Sequence, residues 1–90
     1  MTAQRFYRIM ILKGKRPVYE RRTGSRLKVL YTLNHADNFD YDRIEIKSYY
    51  RMKDYNLKYP TNEGSYNSKA KAIHAFKAFD EVVDKIDPAV

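Results

Sequence analysis

Apolar and polar positions along this chain repeat with two different periods. Residues 5–12 (RFYRIMIL) are aromatic, β-branched and apolar, and predict a strand. Lys13-Gly14-Lys15-Arg16-Pro17 predicts a turn, because Gly accepts positive φ and Pro interrupts a ladder. Residues 18–22 predict a second, short strand, and Thr23-Gly24-Ser25 has hairpin-turn chemistry. Across residues 26–33, Leu27, Val29, Tyr31 and Leu33 alternate with Arg26, Lys28 and Thr32, which predicts a third strand with one apolar face. Residues 34–42 (NHADNFDYD) are polar and acidic and predict a loop.

The strictest alternation runs over residues 43–53. Ile44, Ile46, Ser48, Tyr50 and Met52 alternate with Arg43, Glu45, Lys47, Tyr49, Arg51 and Lys53, as in an antiparallel strand wet on one side. Tyr55, Leu57 and Tyr59 extend it or form a fifth strand over 55–59, and residues 61–67 predict a loop. The period then changes. Ser68 is a helix N-cap, and Ile73, Phe76, Phe79, Val83 and Ile86 recur at three- and four-residue spacing to give a helix over 69–86, closed by Pro88. The expectation is an α+β fold: a small antiparallel sheet of four to five strands packed against one C-terminal helix, as a single domain over 1–90.

Composition narrows the function classes. Ninety residues form one core and leave little room for a deep substrate pocket. With no Cys, disulfides, thiol catalysis and cysteine zinc sites are excluded. The longest apolar run, residues 9–12, is too short for a signal-peptide core or a membrane span, which gives the expectation of an intracellular, cytoplasmic protein without membrane contact.

Charge is segregated. Residues 1–30 hold nine Lys/Arg against Glu20 alone; residues 31–60 balance, and residues 61–90 are slightly acidic. A concentrated positive surface attracts polyanions, nucleic acid foremost. On the strand reading of 26–33, Arg21, Arg22, Arg26 and Lys28 form a basic two-stranded ribbon narrow enough for a DNA major groove. Lys13, Lys15 and Arg16 would hold the flanking backbone, and Tyr49, on the charged face beside Lys47 and Arg51, would stack on bases. Tyr50 would belong to the core. The expected function is therefore a non-enzymatic nucleic-acid-binding module without a cofactor. The alternative is a small interaction protein, of the kind phages and mobile elements use, that covers an acidic surface of another protein.

Catalytic constellations are weak. Asp37, Asp40 and Asp42 followed by Glu45 and Lys47 resemble the core motif of PD-(D/E)xK nucleases, which implies carboxylate-held Mg²⁺ and an activating Lys. Glu-x-Lys is also an ordinary charge pair on a wet strand, and that enzyme's sheet with helices on both sides exceeds this plan. His35 stands alone in its loop, and His74 is expected at the edge of the helix stripe. Phe6-Tyr7-Arg8-Ile9 and residues 68–76 resemble the opening strand and closing helix of WGR domains, though the defining Trp-Gly-Arg is absent. The overall plan is similar to that of integrase-type DNA binders, an analogy of fold only.

Overall fold

The computed structural model describes residues 4–51 and 62–86. Four strands and two helices follow in the order ββαββα: β1 (Gln4–Lys13), β2 (Arg16–Thr23), α1 (Arg26–Asn34), β3 (Arg43–Arg51), β4 (Asn62–Tyr66) and α2 (Lys69–Ile86). A single tight helical turn, Ala36–Asn38, follows α1. The strands form one antiparallel sheet in the order β2-β1-β3-β4. The proposed continuation of β3 beyond Arg51 and the fifth strand at 55–59 lie outside the described residues.

The β1–β2 hairpin turns at Gly14, whose φ of 62° is the left-handed conformation that Gly adopts without a Cβ penalty. Gly14 N donates to Asp42 Oδ2 at 2.9 Å, which ties the turn to the start of β3. Pairing shifts by one residue between Ile11 and Leu12. The extra residue, Val18, lies on β2, so that strand carries the bulge while β1 pairs regularly with β3. Pro17 is tolerated in β2 because β2 is an edge strand.

The third expected strand is a helix. Residues 26–33 belong to α1, and Thr23-Gly24-Ser25 is its entry, not a hairpin turn. Ser25 is the N-cap, its Oγ accepting from Lys28 N at 3.3 Å. The alternation has a different meaning on this backbone. Positions four apart share a helix face, whereas positions two apart lie on opposite faces. Val29 and Leu33 therefore turn inward and are fully buried, while Leu27 and Tyr31 turn outward at 78% and 58% exposure. Width explains why a second helix is needed. Four strands at about 4.8 Å spacing span roughly 19 Å, whereas one helix covers about 10–12 Å.

A second difference is β4. Residues 62–66 (NEGSY) have the composition of a loop, yet they pair along β3 from Ile44↔Tyr66 to Ser48↔Asn62. The ladder supplied by β3 outweighs their poor intrinsic preference for strand.

Both helices lie on one face of the sheet, α1 over β2 and β1, α2 over β3 and β4. Tyr7, Ile9, Ile11, Ile44 and Ile46 meet Val29, Leu33, Ala36, Ala72 and Phe76 there. Tyr7 packs edge-on against Phe76 with ring centroids 5.2 Å apart. Tyr7 is thus a core residue at 2% exposure. Ser68 caps α2 as expected, its Oγ accepting from Lys71 N at 3.3 Å. Among the described side chains of α2, Phe76 is buried, Ile73 and Phe79 are half-buried, and His74 faces water.

Candidate nucleic-acid interface

Strand registers determine which side chains share the face that neither helix covers. Opposite the core set, β1 presents Phe6, Arg8 and Met10; β2 presents Glu20 and Arg22; β3 presents Glu45, Lys47 and Tyr49; β4 presents Glu63 and Ser65. Three transverse rows result. Phe6 stands opposite Tyr49. Beside them runs Arg22–Arg8–Lys47, ending in Glu63 on β4. The third row is Glu20–Met10–Glu45–Ser65. One half of the face is aromatic and basic except for Glu63 at its β4 end, and the other half is acidic.

Glu20 organises the two arginines. Its Oε1 accepts from Arg8 Nε at 2.6 Å and from Arg22 Nε at 3.3 Å. The hydrogen bond from Arg8 is the main reason the Glu20 carboxyl is held below its ordinary value, with Arg22 adding to it. The same hydrogen bond raises the Arg8 guanidinium above its ordinary value, and the Tyr49 hydroxyl adds a smaller contribution. Both bonds to Glu20 use Nε, and a guanidinium carries five N–H donors. Arg8 and Arg22 are thereby oriented while keeping donors for a further anion. Lys47 makes no ion pair with another described residue.

The basic residues singled out in the sequence do not form one ribbon. Arg22 and Tyr49 share the open face. Arg21 lies on the other side of β2, under α1, where its Nη1 donates to Thr32 Oγ1 at 3.3 Å. Arg26 and Lys28 are exposed on α1. Lys13, Lys15 and Arg16 surround the hairpin turn, with Lys13 Nζ 3.3 Å from Asp40 Oδ1. The reason is α1: residues 26–34 are helical, so no second strand completes a free ribbon at 19–28. The actual two-stranded ribbon, β1 with β2, is built into the sheet and backed by α1.

Phe6, Arg8 and Lys47 were not singled out as contacts in the sequence. Their shared face is visible only once β1 is paired with β3, although the alternation around Tyr49 was a signal for Lys47.

The acidic residues that resemble a nuclease motif are dispersed. Asp37 pairs with Lys69, Asp40 with Lys13, and Asp42 with the Gly14 amide. Glu45 stands 3.5 Å from Arg43 Nη2. Among the described residues no three His, Asp or Glu side chains converge as metal ligands. His35 stacks on Tyr31 at 4.0 Å and its Nδ1 lies 2.8 Å from the Tyr31 carbonyl oxygen. Among the described residues no helix is long and apolar enough to cross a membrane.

Comparison of the chain with protein-family models, with curated proteins and with solved structures finds no match.

Proposed function

We propose that this protein is a non-enzymatic nucleic-acid-binding module whose contact surface is the open face of the sheet. The observation that carries the reading is the Arg22–Arg8–Lys47 row on a face that neither helix covers. Charge-assisted contact from two arginines and a lysine suits phosphate oxygens. Lys15 and Arg16, exposed at the hairpin turn, add a second contact. Six residues of strand separate Arg8 from Gly14, about 20 Å. That exceeds the ~8 Å Debye length at physiological salt, so row and turn act as separate grips on one extended polyanion.

The test is fluorescence anisotropy with labelled oligonucleotides across a salt series. Three to five phosphate contacts correspond to a log–log salt slope of about −2 to −4.5. Replacing Arg22 and Lys47 together by Ala should shrink that slope by roughly 1.4–1.8. Affinity unchanged by this double variant, or no affinity at low salt, refutes the reading.

A second reading rests on α1. Leu27 and Tyr31 form an exposed apolar stripe one turn apart, and the stretch from Arg21 to Ala36 contains no acidic residue. A partner protein with an apolar patch rimmed by carboxylates would fit that stripe. Stoichiometric co-purification that survives nuclease and is lost in Leu27→Asp/Tyr31→Asp would favour it.

A further inference from the structure

We infer that the open face selects single-stranded over double-stranded nucleic acid, with Phe6 and Tyr49 as the rings on which bases stack. The inference rests on the nucleic-acid reading above and specifies its ligand.

Two observations carry it, the first of them width. At the row Arg22–Arg8–Lys47–Glu63 the open face is four hydrogen-bonded strands wide, with outer members about 14 Å apart before side chains are added. A B-form major groove is about 12 Å wide. A free two-stranded ribbon would enter it; this sheet does not, and α1 behind β2 and β1 prevents the hairpin from entering alone. Bases therefore reach the face only when they are unpaired.

The second observation is the arrangement of aromatic and cationic groups. Phe6 and Tyr49 stand directly opposite each other on the two central strands. Phe6 is 39% exposed, although its strand neighbours Tyr7 and Ile9 are at 2% and 0%. Its ring thus presents apolar area to solvent on the two central strands, just past the last described β1–β2 pair at Tyr7↔Thr23 and the last described β3–β4 pair at Ser48↔Asn62. Tyr49 is half-buried, and its hydroxyl interacts with Arg8. The adjacent row, Arg22–Arg8–Lys47, begins two residues along β1, about 6.6 Å from the aromatic pair. Bases over the rings place their phosphates over the cations. Glu45 in the row beyond and Glu63 at the β4 end of the cation row disfavour phosphate at those positions, which steers the backbone over Arg22, Arg8 and Lys47. Alternating ring and cation contacts are what sequence-tolerant single-strand binding uses.

The experiment measures anisotropy for a labelled single strand and for a blunt duplex of equal length. A second strand carrying a fluorescent base analogue reports stacking directly. Phe6→Leu and Tyr49→Leu keep apolar bulk for folding but remove the ring, and Tyr49→Phe restores the ring without the hydroxyl. The expected result is at least a tenfold preference for the single strand. Each Leu variant should lose roughly 5- to 150-fold in single-strand affinity, with the salt slope preserved. Tyr49→Phe should retain binding, and the base analogue should be quenched only where a ring is present. Equal binding of duplex and single strand, with both Leu variants unaffected while Arg22→Ala/Lys47→Ala still weakens binding, overturns the stacking inference alone. Absence of binding to either ligand overturns this inference together with its parent reading.

Discussion

Leu27 and Leu33 offer a sharp test of what α1 is. On a strand, both would share one face with Val29 and Tyr31, and truncating either would cost about the same. On the helix they differ. Leu33 is fully buried beside Val29 and Ala36 in the core, so Leu33→Ala should cost about 3–5 kcal/mol, transfer and cavity terms together. Leu27 is 78% exposed, so only about a fifth of its side chain contributes burial. With full burial of Leu worth about 1.5–3 kcal/mol, Leu27→Ala forfeits roughly 0.3–0.7 kcal/mol. The better helix propensity of Ala returns a few tenths of that. Urea denaturation followed by circular dichroism reads the difference. With a slope of about 1–3 kcal/mol per molar, the Leu33 variant should shift the midpoint by about 1 M or more, and the Leu27 variant by little. A domain of this size has only about 5–13 kcal/mol of stability, so Leu33→Val serves if Leu33→Ala does not fold. Comparable losses at the two positions would refute the helical assignment and, with it, the dispersal of Arg26 and Lys28 from a ribbon.

Two further outcomes follow from the geometry. Glu20 has a lowered native pKa, chiefly because Arg8 hydrogen-bonds it, so its ionised form stabilises the fold above the unfolded-state carboxylate pKa. That contribution is lost as pH falls through the lowered native value. Glu20→Gln should therefore reduce stability near neutral pH by about 0.2–1 kcal/mol and converge with the parent protein in acid; a difference that persists in acid would count against the pairing. Gly14→Ala meets no atom within 4 Å, so its expected cost of about 1–2 kcal/mol is purely conformational, and Gly14→Asn should cost less in the same denaturation assay.

Much of the sheet was legible because its signals are local. The alternation through 43–51 and the apolar run of 5–12 each specify a pleated, half-buried segment without reference to partners. The Ser68 cap and the 3.6-residue stripe after it did the same for α2. Where the sequence misled, a local pattern was compatible with two backbones. Leu27, Val29, Tyr31 and Leu33 alternate as a strand would, but the helix reads them as two opposed pairs. The N-cap Ser25 was the overlooked cue. NEGSY shows the reverse case, a segment with little strand preference drawn into the sheet by an available ladder.

The candidate surface divides in the same way. The sequence by itself determined that a strongly basic N-terminal third meets an alternating strand bearing Lys47 and Tyr49, because charge count and period are properties of the chain. Only the tertiary structure decided which cations lie side by side. Pairing β1 with both β2 and β3 drew Arg8, Arg22 and Lys47 into one row and set Phe6 against Tyr49. Folding 26–34 as a helix sent Arg26 and Lys28 elsewhere and turned Arg21 inward toward Thr32. Cross-strand neighbours are remote in sequence and are fixed by register. A register is chosen by the whole hydrophobic face seeking burial, not by the residues it happens to align on the opposite side.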